Sequence, residues 1–131
     1  KRKNNHVLGL DLSDTAISIA ASRFPDISFK QVDFSNLEKI QSLLDAWGRG
    51  GELFVCLECL SYLENWRDIL QFCARQGKFG VFSLYLPENP IGFVKSGNQL
   101  IQEFQFSFEP QEMMFLEVSR FLILFGKSRI E

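Results

Sequence analysis

Apolar residues along this chain follow two alternating rhythms, short continuous runs and segments of helical spacing. Val7–Leu12 is a short apolar run ending near an acid, Asp11, and reads as a strand. Ser13 can cap the segment that follows, where Ile17, Ala20, Ala21 and Phe24 recur at helical spacing, which predicts a helix over 14–23. A second strand is expected over 27–32, ending in Asp33. Ser35 and Glu38 have the spacing of a capping box, and the helix it would open carries Leu37, Ile40, Leu43 and Leu44 on one face before the glycines at 48–51.

The run LFVCLECL, from Leu53, is almost wholly apolar and predicts a strand buried on both faces. Asn65 can start a helix through Ile69, Leu70, Phe72 and Cys73, with Gly77 to end it. FGVFSLYL is the next strand, and Pro87 and Pro90 mark its exit loop. Ser96 and Gln99 form another capping box, for a helix to about Phe104. A strand is expected around 104–108, a turn near Pro110 and a last strand around 119–125, while PQEMMFLEV fits helix and strand equally. Strands alternating with helices predict one α/β unit over 1–131, with a mostly parallel sheet. Such sheets bind ligands beyond the carboxyl ends of their strands, where Asp11, Asp33 and the LECL segment fall.

Composition narrows the functions. Of 131 residues, 46% are hydrophobic and 23% charged, ordinary for one globular domain. A net charge of −2 with pI near 5.5 gives no electrostatic footprint for nucleic acid, and the basic KRKNN opening reads as a solvated end. No apolar run is long enough to span a bilayer, so no membrane partner is expected. Three cysteines are too few for a disulfide framework, which favours a reducing, cytoplasmic setting. Cys56 and Cys59 are three apart; on a continuous strand their side chains would oppose, so neither zinc nor a disulfide is expected, and no metal site elsewhere. Lys1 rather than Met stands first, and the expectation is an N-terminally truncated domain.

Taken in order, GLDLSDTAISIA, FKQVDF, LFVCLECLSYLENW and GKFGVFS resemble consecutive motifs of the S-adenosylmethionine-dependent methyltransferases. The resemblance runs from Val7 to Ser83 and continues into a closing hairpin ending FLILFGK. It implies a Rossmann-like, mostly parallel sheet with helices on both faces and an antiparallel C-terminal strand. It also implies S-adenosyl-L-methionine as cofactor and a small-molecule methyl acceptor. In that family the acid ending the second strand holds both ribose hydroxyls, which corresponds to Asp11 with Leu12 beside it. The acid ending the third accepts from the adenine amino group and the next backbone N–H meets a ring nitrogen, corresponding to Asp33 and Phe34. The segment after the fourth strand, here Leu57, Glu58 and Cys59, lies beside the methionine and the acceptor, so Glu58 is a cofactor candidate. Glu58 and Tyr62 are the catalytic candidates. The family's first strand and glycine-rich loop would precede Lys1. On the resemblance that strand lies between the strands at 7–12 and 53–59, so this chain is expected to bind cofactor weakly. Its unpaired edges are expected to be completed by upstream residues or another chain, or to cause self-association.

The chemistry suits these residue types. A ribose offers two adjacent hydroxyl donors, and one carboxylate has two acceptor oxygens to meet them. Each residue also has a structural reading. Asp11 can complement a helix N-terminus, Asp33 can shape a turn, and Glu58 can satisfy neighbouring backbone. Trp66 reads as core. Two other functions remain open on sequence, a dinucleotide-binding unit with Asp11 on a ribose and a non-catalytic interaction domain.

Overall fold

The structure is a computed structural model and describes residues 6–130; the basic opening, residues 1–5, lies outside them. The chain divides into two compact units, Lys1–Arg49 and Gly50–Glu131.

In the first unit, strands β1 (Leu8–Asp11) and β2 (Ser28–Gln31) pair in parallel, with Asp11 opposite Gln31. Helix α1 (Asp14–Arg23) joins them and packs on both, as a parallel pair requires of its crossover. Ser13 is its N-cap, with Oγ accepting from Ala16 N–H at 3.1 Å. Helix α2 (Leu37–Trp47) starts one residue later than the Ser35–Glu38 box predicts. Asn36 is the cap, accepting from Lys39 N–H, because the Ser35 hydroxyl is committed to Asp33. Val32 and Ile40 are the unit's buried apolar side chains.

The second unit holds a four-stranded sheet in the order β3-β4-β6-β5. Strands β3 (Leu53–Leu57) and β4 (Phe79–Tyr85) are parallel, and β6 (Phe121–Ser128) runs antiparallel to both β4 and β5 (Phe108–Leu116). The expected α/β class, parallel pairs and antiparallel C-terminal strand are all present. Helix α3 (Trp66–Gln76) packs against helix α4 (Gly97–Ser107) and β4. The core is built from Phe82 and Leu84 of β4, Leu122 and Leu124 of β6, Leu100 and Phe104 of α4, and Trp66 and Leu70 of α3. Trp66 is buried as expected, with the Arg67 guanidinium 4.3 Å from its ring. The buried Cys73 thiol is pushed up to about 12 by loss of solvent and is protonated at neutral pH.

Four sequence expectations are corrected here. Strand β3 stops at Leu57 and is not buried on both faces, since Leu53, Val55 and Leu57 are each more than half exposed. Helix α4 runs past Phe104 to Ser107, where a strand was expected, and strand β5 continues through Pro110 in place of the expected turn, taking in most of the ambiguous PQEMMFLEV because it pairs along β6. Strand β6 starts two residues later and extends to Ser128. Finally, Cys56 and Cys59 are joined as a disulfide. The opposition argument fails because Glu58 turns the chain into the left-handed region (φ 63°), so the strand ends between the two cysteines.

Candidate functional site

Two carboxylates end the adjacent strands of the first unit. Asp11 closes β1, and Asp33 stands two residues beyond the end of β2. The parallel ladder brings both to the same end, and Val32 N–H continues it by donating to Asp11 O at 2.9 Å. Each acid shapes the turn that follows it. Asp11 Oδ1 accepts from Ser13 N–H at 2.8 Å, while Asp33 Oδ1 accepts from Ser35 N–H at 2.9 Å and from the Ser35 hydroxyl at 2.8 Å. Among the described residues only Oδ1 is engaged in either case, and both residues are exposed. Leu12 is exposed, its carbonyl accepting from Gln31 Nε2 at 2.9 Å, and Phe34 is half-buried.

The Ser35 backbone N–H, and then its hydroxyl, hold the Asp33 carboxyl below the usual value of 3.8. Because the native value is lowered, this bonding favours the fold above the ordinary carboxylate range and is lost as pH falls through the native midpoint. A carbon-detected NMR titration should therefore place the Asp33 midpoint below 3.8. Ser35→Ala should move it part of the way back, since the backbone N–H remains. A midpoint unchanged by that substitution would show the hydroxyl contributes nothing.

Glu58 and Tyr62 belong to the second unit. Glu58 stands one residue beyond β3, half-buried, with both carboxylate oxygens engaged. Oε1 accepts from Ser83 Oγ and Oε2 from Tyr85 N–H, each at 2.8 Å, while Glu58 N–H donates to Ser83 O at 2.9 Å. The carboxylate thus ties the end of β3 to the end of β4. Tyr62 lies in the short 3-10 turn Leu60–Tyr62 and is 79% exposed.

The same unit contains a cavity of about 370 Å³ that the sequence did not announce. It opens beyond the carboxyl end of β4, between the 86–96 loop, the first turn of α4 and the side chains of Phe115, Arg120 and Leu122. Arg120, in the left-handed region at φ 59°, joins the loop twice: its Nε donates to Leu86 O at 2.6 Å, and its carbonyl accepts from Leu86 N–H at 2.9 Å. The proline-bounded loop and the Ser96–Gln99 box were the legible signals for this region. Its cations, Lys95 and Arg120, come from separate segments and were missed. Among the described residues there is no cluster of three or more metal-ligating side chains, and no helix is long and apolar enough to cross a membrane.

No protein-family model and no curated protein matches the chain. Solved structures do. The PH0226 protein from Pyrococcus horikoshii OT3 is 12% identical with a TM-score of 0.72, over 96% of this chain and 73% of that one. A TehB-like SAM-dependent methyltransferase from Corynebacterium glutamicum is 19% identical with a TM-score of 0.62, over 95% and 68%. Magnesium protoporphyrin IX methyltransferase from Synechocystis PCC 6803, solved with bound SAM, is 14% identical with a TM-score of 0.65, over 94% and 59%. The fold of this chain is thus one seen in S-adenosylmethionine-dependent methyltransferases.

Proposed function

We propose that this chain carries the adenosine-binding side of an S-adenosylmethionine-dependent methyltransferase acting on a small molecule. The observation that carries the reading is the pair of exposed carboxylates at adjacent parallel strand tips, each engaged through one oxygen among the described residues. In this assignment Asp11 accepts from the ribose hydroxyls and Asp33 from the adenine amino group, with Leu12 and Phe34 flanking the base. When bound, the cofactor would supply a sulfonium-activated methyl group for in-line transfer to the acceptor's lone pair, with the carbon–sulfur pair left on sulfur. Such a displacement asks of the protein mainly position and exclusion of water. Glu58 serves by holding the strand ends in place, and Tyr62 is the exposed hydroxyl nearest to it in sequence.

The glycine-rich loop of the site is assigned to sequence outside Lys1–Glu131 or to a second chain. Supporting this, β1 pairs only with β2, and β3 only with β4, among the described residues. The β5 edge, with Met113, Met114, Phe115 and Leu116 all exposed, suits self-association. The acidic balance of the chain favours a small acceptor over nucleic acid.

Calorimetry with S-adenosylhomocysteine on the full-length protein tests the assignment. Asp11→Ala should weaken binding by about 1.5–3 kcal/mol, the worth of hydrogen bonds to a charged group. Asp11→Asn keeps an acceptor for Ser13 N–H but loses the charge, and should fall between. Unchanged affinity in both variants, or tighter binding of NAD than of S-adenosylhomocysteine, would reject the reading.

A further inference from the structure

The cavity beyond β4 has the construction of a ligand site, and its chemistry selects a class of ligand. Its volume of about 370 Å³ lies in the range of small-molecule pockets, roughly 300–1,000 Å³. The walls are mostly apolar, with Leu86, Pro87, Ile91, Val94, Ile101 and Leu122 among them. Charge enters from two cations, Lys95 and Arg120, against one acid, Glu88. Ser96, Gly97 and Asn98, at the start of the eleven-residue helix α4, line the same space. Ser96 Oγ takes the Gln99 N–H, so the first-turn amides of Gly97 and Asn98 are the helix donors without an intrahelical acceptor.

The loop that closes the cavity is pinned although it has no regular structure. Leu86 is bonded to Arg120 in both directions, Phe93 N–H donates to Ser61 O at 2.8 Å, and Lys95 N–H donates to Gln99 Oε1 at 2.9 Å. Lys95 Nζ also caps the Gly92 carbonyl. Gly92 sits at φ +84°, where any Cβ would run into the Ser61 backbone, so the close docking of the loop requires glycine. Val94 is buried at 1% exposure and anchors the loop from beneath. A ligand entering this space meets a preformed wall and pays little to order it.

From this we infer that the cavity binds a compact, largely apolar carboxylate. The apolar body lies against Ile91, Ile101 and Leu122, and the carboxylate faces Lys95 and the first turn of α4. Every lining residue belongs to Gly50–Glu131, so the binding claim stands apart from the cofactor assignment.

Three probes of one shape and different charge test it: 3-phenylpropionate, its amide, and 3-phenylpropylamine, titrated into the full chain by NMR. The carboxylate should bind at least about tenfold more tightly than the amide, and the amine most weakly. Its largest shifts should fall on the Gly97 and Asn98 amides. Lys95 is exposed, so Lys95→Glu can be made without opening the core; it should cost the carboxylate about tenfold or more and leave the amide within about twofold. Lys95→Gln should lie between, and Ile101→Trp should block all three by filling the space. No binding by any probe in the millimolar range, equal affinity for acid and amide, or indifference of the acid to Lys95→Glu overturns the inference. Asp11→Asn should leave phenylpropionate binding unchanged, so a failed cofactor assignment and a failed cavity assignment give different results.

Discussion

Phe104→Ala should destabilise the Gly50–Glu131 unit by about 3–5 kcal/mol, a large part of a domain's usual margin of about 5–15 kcal/mol. Phe104 is fully buried on α4 and forms a ring cluster with Phe82 of β4 and Phe108 of β5. The Phe104 and Phe108 rings stack at 5.2 Å, while Phe82 meets them edge-on at 6.0 and 5.4 Å. One side chain therefore joins a helix to two strands that are not neighbours in the sheet order. Its removal leaves a cavity that rigid strands on one side cannot collapse to fill. Phe106, two residues along the same helix, is 75% exposed and supplies the control. Phe106→Ala should change stability by no more than about 0.5 kcal/mol. Urea denaturation of both variants decides the matter. Two substitutions within about 1 kcal/mol of each other would mean that the cluster is not where the unit's stability resides.

Elements were legible in the sequence where local chemistry decides them. Ser13 and Ser96 cap their helices because a hydroxyl three residues before a free amide is a local arrangement, independent of the rest of the fold. Ser35 misled because its hydroxyl had two local uses, and bonding to Asp33 left the cap to Asn36. Strand β5 could not be distinguished from a helix because Met113 to Leu116 are all exposed, so burial leaves no period of two to read. Its identity comes from pairing with β6, across a register shift between Pro110 and Glu112, which is a tertiary fact. The Cys56–Cys59 bond was hidden for a related reason. A glutamate in the left-handed region is uncommon, and nothing in the run VCLEC marks where the strand must end.

The two kinds of site differ in the same way. Strand-tip acids can be read from sequence, since an apolar run followed by Asp and a capped helix places the carboxylate by topology alone. A cavity lined from the 85–101 and 115–122 segments cannot, because no one segment carries its composition. Arg120 shows why. In sequence it is a cation before an apolar strand, and only the fold reveals it bonded to Leu86, its neighbour across the β4–β6 pair.

Glu58→Ala should cost the second unit about 2–4 kcal/mol, because two hydrogen bonds to one carboxylate disappear together. Ser83, only 9% exposed, would be left with a hydroxyl lacking its acceptor, and Tyr85 with an N–H lacking its own. The backbone makes a second, opposite prediction at the same position. At φ 63° a residue with a Cβ is strained by about 1 kcal/mol relative to glycine. Glu58→Gly should therefore be less damaging than Glu58→Ala by about that amount, the reverse of the usual order for these two residues. Glu58→Gln keeps an acceptor for one partner and should fall nearest to the wild type. Thermal and urea unfolding of the three variants read both effects at once. Glycine worse than alanine would deny the left-handed turn, and alanine equal to wild type would deny the clamp. If both hold, Glu58 stabilises the strand end from which Tyr85 and Leu86 enter the cavity wall, and Glu58→Ala should weaken phenylpropionate binding without Glu58 touching the ligand.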